Sequence, residues 1–193
     1  MSQTPEEIVI VNPSVDLQGL EDLCLDLDLD HLETFEPPAA AFYEQVHESE
    51  DGEVLVRILH DHFVEIWLIA IQAEDEERVR NLQRAVFDEI GGFSLADLAV
   101  VLDRQQGPER KFALRGMVAA NAGTFDAGLF DRVVAALADG DADLRYTAII
   151  CAARLGWSRF SEALRALIDK ESDDEVKQRA VSTLDAIEAV HGG

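Results

Sequence analysis

One pattern of apolar and polar positions occurs twice near the C-terminal end of the chain, 32 residues apart. Residues 143–148 and 175–180 both read acidic, aliphatic, basic, two variable positions and alanine. Each copy opens a run whose apolar residues recur at steps of four, four and three, which places them on one face of an α-helix. These residues are Leu144, Ala148, Ala152 and Leu155 in the first copy, and Val176, Ala180, Leu184 and Ile187 in the second. Because a helical period of this length is typical of stacked hairpins, the repeat predicts an α-solenoid.

Apolar stripes between these copies predict the first helix of each hairpin. One stripe runs over residues 130–137 and the next over residues 160–167. A weaker copy of the pattern begins at Pro108. Before it, Ser94 and Asp97 have the spacing of a capping box, in which the serine oxygen accepts from a free backbone N–H at a helix start. Together with the segment upstream, these stripes predict about four hairpins.

Residues 53–72 fit two different structures. Their apolar residues recur at helical spacing, which would make this segment the first helix of the solenoid. The same segment is rich in β-branched residues, so residues 53–59 and 63–71 could instead form two strands around His60-Asp61-His62. We take the helix as the prediction and keep the two strands as the alternative.

Residues 1–52 form an acidic segment whose pattern leaves its structure open. Residues 7–11 look like a strand, and residues 23–32 alternate Leu with Asp, which suits a strand or a partly disordered segment. Pro37-Pro38 interrupts the chain, and a short helix is predicted over residues 39–48. We therefore predict an acidic N-terminal segment, residues 1–52, followed by a helical repeat domain, residues 53–193.

Asp143, Leu144, Arg145 and Ala148, with their copies at 175–180, resemble the pattern of HEAT and HEAT-like (PBS-lyase-type) repeats. The resemblance covers about residues 75–190 and is strongest over residues 129–190. It implies an all-α fold, a right-handed α-solenoid of about four HEAT-like hairpins in which repeated acids and bases form a ladder between neighbouring units. Such proteins include protein-binding scaffolds, bilin lyases and alkylpurine DNA glycosylases, so the resemblance predicts a fold and leaves the function open.

The chain is strongly acidic, with 39 Asp and Glu against 16 Lys and Arg and a formal net charge of −23. Residues 1–53 contain fifteen of these acids and no Lys or Arg. Such a surface repels phosphates, which disfavours nucleic acid as a ligand, and it attracts a basic protein in a salt-dependent manner. High negative charge also serves solubility, or a high-salt cytoplasm, without any partner.

The cysteines and the apolar runs favour a cytoplasmic location. Cys24 and Cys151 lie far apart in the sequence and fit no disulfide, redox or metal spacing. The first basic residue is Arg57, so the charged start of an export signal is missing. The longest apolar run, residues 54–73, contains charged side chains that disfavour a membrane span. We expect a cytoplasmic protein that does not bind membranes.

Motifs for catalysis or metal binding are weak. The chain has neither a Gly-x-Ser-x-Gly elbow nor a glycine-rich phosphate loop. His62 and Glu65 have the spacing of a helical metal site, but no second ligand pair accompanies them. Alternate aspartates at 26, 28 and 30 imitate the start of a calcium loop whose glycine and final glutamate are missing. We predict no catalytic residue, no cofactor and no metal, and hence no enzyme.

The leading functional prediction is a non-catalytic protein-interaction module, in its sharper form an acidic inhibitor or immunity protein that neutralises a basic toxin or enzyme. The alternative is a scaffold or adaptor subunit of a larger assembly, and a bilin-lyase-like enzyme comes third. Acids attract a basic surface and aromatic side chains anchor interfaces, so ten residues are predicted to contact the partner. They are Asp26, Asp28, Asp30, Glu33, Glu36, Asp139, Asp141, Tyr146, Trp157 and Asp173.

Overall fold

The computed structural model describes residues 6–36, 42–104, 107–121 and 123–191. The chain forms two compact units, Met1–Asp97 and Leu98–Gly193, which we call the sheet unit and the helical unit. The sheet unit contains a five-stranded antiparallel sheet. The predicted all-α solenoid is therefore wrong, because the protein combines helices with a sheet.

The described residues of the sheet unit form five strands and two complete helices. In chain order they are β1 (Glu6–Ile10), α1 (Leu17–Asp26), β2 (Leu29–Phe35), β3 (Phe42–Ser49), β4 (Val54–Asp61), β5 (Ile66–Ala73) and α2 (Glu76–Ile90). The strand order across the sheet is β1-β5-β4-β3-β2, and all neighbouring strands are antiparallel. β1 and β2 are consequently the two edge strands.

One face of the sheet forms a core with both helices of this unit. On that face Val56 pairs with Ile71 across β4 and β5, and the neighbouring Ile58 is fully buried. These side chains belong to one apolar cluster with Leu20 of α1 and Val86 of α2. The cluster forms because alternate residues of a strand point to the same side, where the apolar faces of the helices cover them.

For residues 53–72 the strand alternative is correct and the helix prediction is wrong. The segment forms β4 and β5, joined by a turn. Leu68, Ile69, Ala70 and Ile71 are each at most 3% exposed, so β5 is buried on both faces and its apolar run is continuous. A continuous run has no alternation, and by pattern alone it cannot be distinguished from a buried helix.

The segment before β3 contains more regular structure than the sequence predicts. β1 confirms the strand predicted over residues 7–11. Residues 23–32 contain the end of α1 and the start of β2, where the pattern suggested one strand or a partly disordered segment. The start of α1 is capped by Asp16, whose carboxylate accepts a hydrogen bond from the backbone N–H of Gly19 at 3.0 Å.

The helix predicted over residues 39–48 is also wrong. Residues 42–49 form β3, which pairs with β2 on one side and β4 on the other. Five of the eight residues of this strand are polar and occur in consecutive runs, so the sequence shows no alternation of apolar and polar positions. The Pro37-Pro38 pair lies outside the described residues.

The helical unit contains α4 (Pro108–Ala119), α5 (Ala127–Leu137), α6 (Ala142–Leu155), α7 (Phe160–Lys170) and α8 (Asp174–His191). A further helix, α3 (Leu95–Arg104), spans the boundary between the units. α6 packs against both α4 and α8, and α5 packs against α7. The helices predicted from the two repeat copies are confirmed as α6 and α8. Gly156 ends α6 with a φ of 63°, a left-handed conformation that favours glycine.

Candidate docking surface

The negative charge of the protein is concentrated in the sheet unit. Residues 1–97 contain 24 Asp and Glu against 4 Lys and Arg, whereas residues 98–193 contain 15 against 12. A local excess of one sign of charge attracts partners of the opposite sign to that part of the surface. The sheet unit is therefore the part of the molecule in which a charge-dependent site is expected.

Within the sheet unit, an unpaired run of carboxylates follows the end of α1 and the edge strand β2. Its five members are all exposed: Asp26, Asp28, Asp30, Glu33 and Glu36. Within the described part of the chain, none of them forms an ion pair. All five residues that the sequence predicted for partner binding in this segment are thus exposed along one stretch of the chain.

Three exposed apolar side chains lie among these carboxylates. Leu25 is 71% exposed, Leu32 is 52% exposed and Phe35 is 42% exposed. We call the surface formed by these three residues and the five carboxylates the acidic edge. Apolar side chains surrounded by charge are a feature of protein-binding sites, because they provide burial while the charges provide orientation.

The two faces of β2 carry different chemistry. Glu33 and Phe35 pair with Val46 and Glu44 on the face opposite to the apolar core of the sheet unit. His31 pairs with His47, on the face that α1 covers. The register shifts between His31 and Glu33, where one extra residue makes a β-bulge.

The acidic edge departs from what stability alone would favour. Asp26 is the last residue of α1, and Asp28 follows it closely in a left-handed conformation with a φ of 51°. Carboxylates at this position face the negative end of the helix dipole, where lysine or arginine would be favourable. Positions that break such a local rule without a compensating contact are candidates for function.

A network of polar side chains lies beneath this edge, between α1 and β3. Gln45 donates from Nε2 to Glu21 Oε1 at 2.8 Å and to the hydroxyl of Tyr43 at 2.6 Å. His47 Nε2 lies 3.3 Å from Gln45 Oε1, and its ring contacts that of His31 edge-on at 5.3 Å. Gln45 and His47 are 6% and 4% exposed, so these two side chains belong to the interior, whereas Glu21 and Tyr43 are half-buried.

Burial disfavours the charged forms of Cys24 and His47 beside this network. Burial, together with the charge of Glu21, raises the pKa of the Cys24 thiol to about 12. Burial, and then the neighbouring His31, lowers the pKa of His47, although Glu21 opposes this shift. At neutral pH the site offers a protonated thiol and a neutral imidazole, so it contains no activated nucleophile.

The predicted aspartates of the helical unit are engaged in holding helix starts. Asp141 caps α6 by accepting from the backbone N–H of Asp143 at 3.0 Å, and Asp173 caps α8 by accepting from that of Glu175 at 3.0 Å. Asp139 accepts from the backbone N–H of Asp141 and then from Arg110, and both bonds lower its pKa. These contacts satisfy the three carboxylates within the unit.

Ion pairs in the helical unit recur with the repeat. Three of its side-chain pairs are Arg110 with Asp139 at 3.0 Å, Lys111 with Asp143 at 2.9 Å, and Arg145 with Glu171 at 2.6 Å. Arg110 and Lys111 join the start of α4 to the start of α6 and the loop before it, and Arg145 joins the start of α6 to the loop before α8. The charges of this unit are largely balanced within it, in contrast to those of the acidic edge.

The two predicted aromatic anchors also lie in the helical unit, away from the acidic edge in sequence. Trp157 stacks on Phe160 with ring centroids 5.6 Å apart and contacts Phe125 at 4.9 Å. Tyr146 is half-buried and lines an opening of about 340 Å³ beside Lys111. Trp157 therefore contributes to packing at the start of α7, whereas Tyr146 remains accessible from this opening.

No metal site emerges from the described residues, because no three His, Cys, Asp or Glu side chains are placed to hold one ion. His60 lies in β4, where its ring stacks on Trp67 at 4.4 Å and contacts His62 at 4.4 Å. Asp26, Asp28 and Asp30 fall on a helix end, a turn and a strand, respectively. Among the helices that the structure describes, none is both long and apolar enough to cross a bilayer.

Comparison with known proteins identifies no relative. No protein-family model matches the chain, no match is found among curated proteins, and none is found among solved structures. The function must therefore be argued from the chemistry of the acidic edge and the polar network beneath it.

Proposed function

We propose that the protein is a non-catalytic binding module that recognises a basic protein through the acidic edge of its sheet unit. The observation that carries this proposal is the set of five exposed, unpaired carboxylates interspersed with Leu25, Leu32 and Phe35. Charges of one sign steer a partner of opposite sign to the surface and raise its association rate. Apolar residues then supply burial once contact is made.

The position of the acidic edge on an edge strand favours recognition of an extended segment. Among the described strands β2 pairs with β3 alone, so its outer side can accept a strand of another chain. A second copy of this protein would bring carboxylates against carboxylates, which is unfavourable. A strand with alternating basic and apolar side chains would complement both the charge and the backbone of β2.

The charge distribution favours an inhibitor over a scaffold. An inhibitor or immunity-type protein neutralises a basic toxin or enzyme with a dedicated acidic surface, and most of the excess of acids lies in the unit that contains this surface. The second candidate is a scaffold subunit. It is favoured by a groove of about 470 Å³ in the helical unit, which is lined by apolar residues such as Leu137 and Ala163 and by charged residues such as Lys170.

Two matched variants of the full chain test the proposal. The edge variant neutralises four carboxylates of β2 and its flanks, D28N/D30N/E33Q/E36Q. The control variant neutralises four exposed carboxylates elsewhere in the sheet unit, E74Q/E77Q/D88N/E89Q. Both variants change the net charge equally, so they separate the position of the charge from its amount.

The wild type and both variants are immobilised and exposed to lysate of the source cells at low and high salt, and retained proteins are identified by mass spectrometry. We expect basic proteins that bind the wild type and the control variant at low salt and bind the edge variant at least about tenfold more weakly. Addition of salt should release them. Equal retention by all three chains would exclude the acidic edge as the binding site.

A further inference from the structure

We infer that the cavity between α1 and β2 accepts a lysine side chain of the basic partner. This inference rests on the proposed function, because it assigns the residue by which the partner is anchored beside the acidic edge. The cavity has a volume of about 170 Å³. Its walls include the apolar side chains of Cys24, Leu25 and Leu29 and the polar side chains of Glu21 and His47.

The size of the cavity limits its occupant to one side chain or a few waters. Pockets for drug-sized ligands measure roughly 300–1,000 Å³, well above this volume. A long, slender side chain fits better, since its carbon stem can contact Leu29 while its tip reaches the polar end. Leu25 is 71% exposed, and this places it at the mouth of the cavity.

The polar end of the cavity offers hydrogen-bond acceptors. Gln45 must turn its Nε2 toward Glu21, because a carboxylate can only accept, and its Oε1 therefore faces His47. His47 Nε2 then carries the hydrogen of the neutral ring, which leaves Nδ1 as a lone-pair acceptor. His47 is 4% exposed, and its Nδ1 has no hydrogen-bond partner among the described residues. An unpartnered buried acceptor indicates that a donor is missing.

The charge of the cavity favours a cation. Glu21 uses Oε1 to accept from Gln45, and its other oxygen has no partner among the residues that the structure describes. After burial, the charge of Glu21 is the second cause that raises the pKa of Cys24 to about 12, so the negative potential of this carboxylate extends into the cavity. An anion would be repelled there, and a neutral ligand would leave the carboxylate unpaired.

Among cations, a primary ammonium fits this donor set best. It is compact and has three donors, of which two match one carboxylate oxygen and one imidazole nitrogen. A guanidinium is planar and wider, and its paired donors prefer both oxygens of one carboxylate, one of which Gln45 already occupies. A metal ion lacks a set of three ligating side chains within the described residues.

The test uses synthetic peptides with alternating valine and lysine, together with versions in which arginine or Nε-acetyl-lysine replaces every lysine. Affinities for the full chain are measured by isothermal titration calorimetry, and contacts are mapped by NMR of the labelled protein. We expect the lysine peptide to bind about fivefold or more tightly than the arginine peptide of equal charge. Its binding should shift the imidazole signals of His47.

Two variants and a control locate the effect. Glu21→Gln removes the carboxylate and should weaken binding of the lysine peptide about tenfold, since one charge-assisted hydrogen bond is lost. Asp22→Asn makes the same charge change at the next residue of α1 and should weaken it less than about twofold. Leu25→Trp covers the mouth without altering the core and should abolish the preference for lysine over arginine.

The outcomes distinguish this inference from the proposed function. Equal binding of the lysine and arginine peptides, unaffected by Glu21→Gln but lost in the edge variant, would overturn the lysine cavity and leave the acidic edge as the docking surface. If only water fills the cavity, no peptide will shift the imidazole NMR signals of His47, and that result would also overturn the inference. Binding that the edge variant retains would count against the proposed function.

Discussion

Replacing Arg145 by methionine should destabilise the helical unit by about 3 kcal/mol, because the change leaves a buried carboxylate without its partner. Arg145 donates to both oxygens of Glu171, at 2.6 and 2.9 Å. The side chain of Glu171 is 2% exposed, while that of Arg145 is 15% exposed. Arg145 also donates to the backbone carbonyls of Asp139 and Gly140, so its loss frees the loop before α6 as well.

The size of this effect follows from burial. Breaking a buried ion pair by removing one partner costs about 3–5 kcal/mol, and we take the lower end because Arg145 is partly exposed. The matched control is Arg165→Met, whose partner Glu188 is 44% exposed. Exposed pairs of this kind contribute about 0–1 kcal/mol. The double variant R145M/E171Q should recover much of the loss, since the uncompensated charge is removed while the amide oxygen that replaces the carboxylate can still accept from the backbone.

The assay uses the two tryptophans of the chain, which lie in different units at Trp67 and Trp157. In a Trp67→Phe background, fluorescence during urea unfolding reports on the helical unit, and the free energy of unfolding follows by linear extrapolation. If R145M costs no more than R165M, then the Arg145–Glu171 pair is not a buried structural link and the reasoning fails.

The same pair predicts a dependence on acid. Arg145 and the backbone N–H groups of Asp173 and Ser172 lower the pKa of Glu171 to about 2. Its ordinary value is about 4.3, so its stabilising contribution is fully present above that pH and is lost as the pH falls toward 2. In R145M the pKa of Glu171 should rise, and the loss of this contribution should then be complete at a higher pH than in the wild type.

Two further predictions concern the sheet unit. His47 has a pKa below its ordinary value of about 6.5, so the free energy of unfolding should be constant above that pH and fall as the pH drops through the folded-state pKa. His47→Gln should weaken this pH dependence when urea unfolding is followed by Trp67 fluorescence in a Trp157→Phe background. An unchanged pH dependence would contradict the assignment to His47. Gly92→Ala should lower the free energy of unfolding by about 1–3 kcal/mol, because a Cβ there would lie 2.4 Å from Val9 Cγ1 and 3.2 Å from the carbonyl oxygen of Ile10. The control Gly140→Ala, whose Cβ would meet nothing within 4 Å, should stay within about 0.5 kcal/mol of the wild type. Thermal unfolding measures both glycine variants, and equal losses would show that the close approach at Gly92 relaxes freely.

The helices of the helical unit could be predicted because their signals are local. The apolar faces of α6 and α8, the glycine that ends α6 and the aspartates at the helix starts all lie within a few residues of the features that they determine. The exposure of the carboxylates of the acidic edge could also be predicted, because charged side chains are rarely buried unless they are paired.

The sheet could not be predicted from the sequence pattern, because its strands depend on their neighbours. The apolar run of β5 suits a buried helix or a buried strand equally, and the choice depends on β1 and β4, which flank it on either side in the sheet. β3 carries a weak apolar signal and exists because β2 and β4 supply its hydrogen bonds. Strand pairing of this kind is a property of the whole unit.

By itself the sequence determined the repeated helices, the lack of an evident catalytic motif and the excess of acidic residues in the N-terminal part, because each depends on neighbouring residues or on composition. Only the tertiary structure decided that the carboxylates lie along an edge strand and the helix end before it, and that Glu21 and His47 line one cavity beside Cys24. Antiparallel pairing sets the register that brings His31 onto His47, and the packing of α1 on that face places Glu21 over Gln45. Such contacts join residues far apart in the chain, and local periodicity carries no information about them.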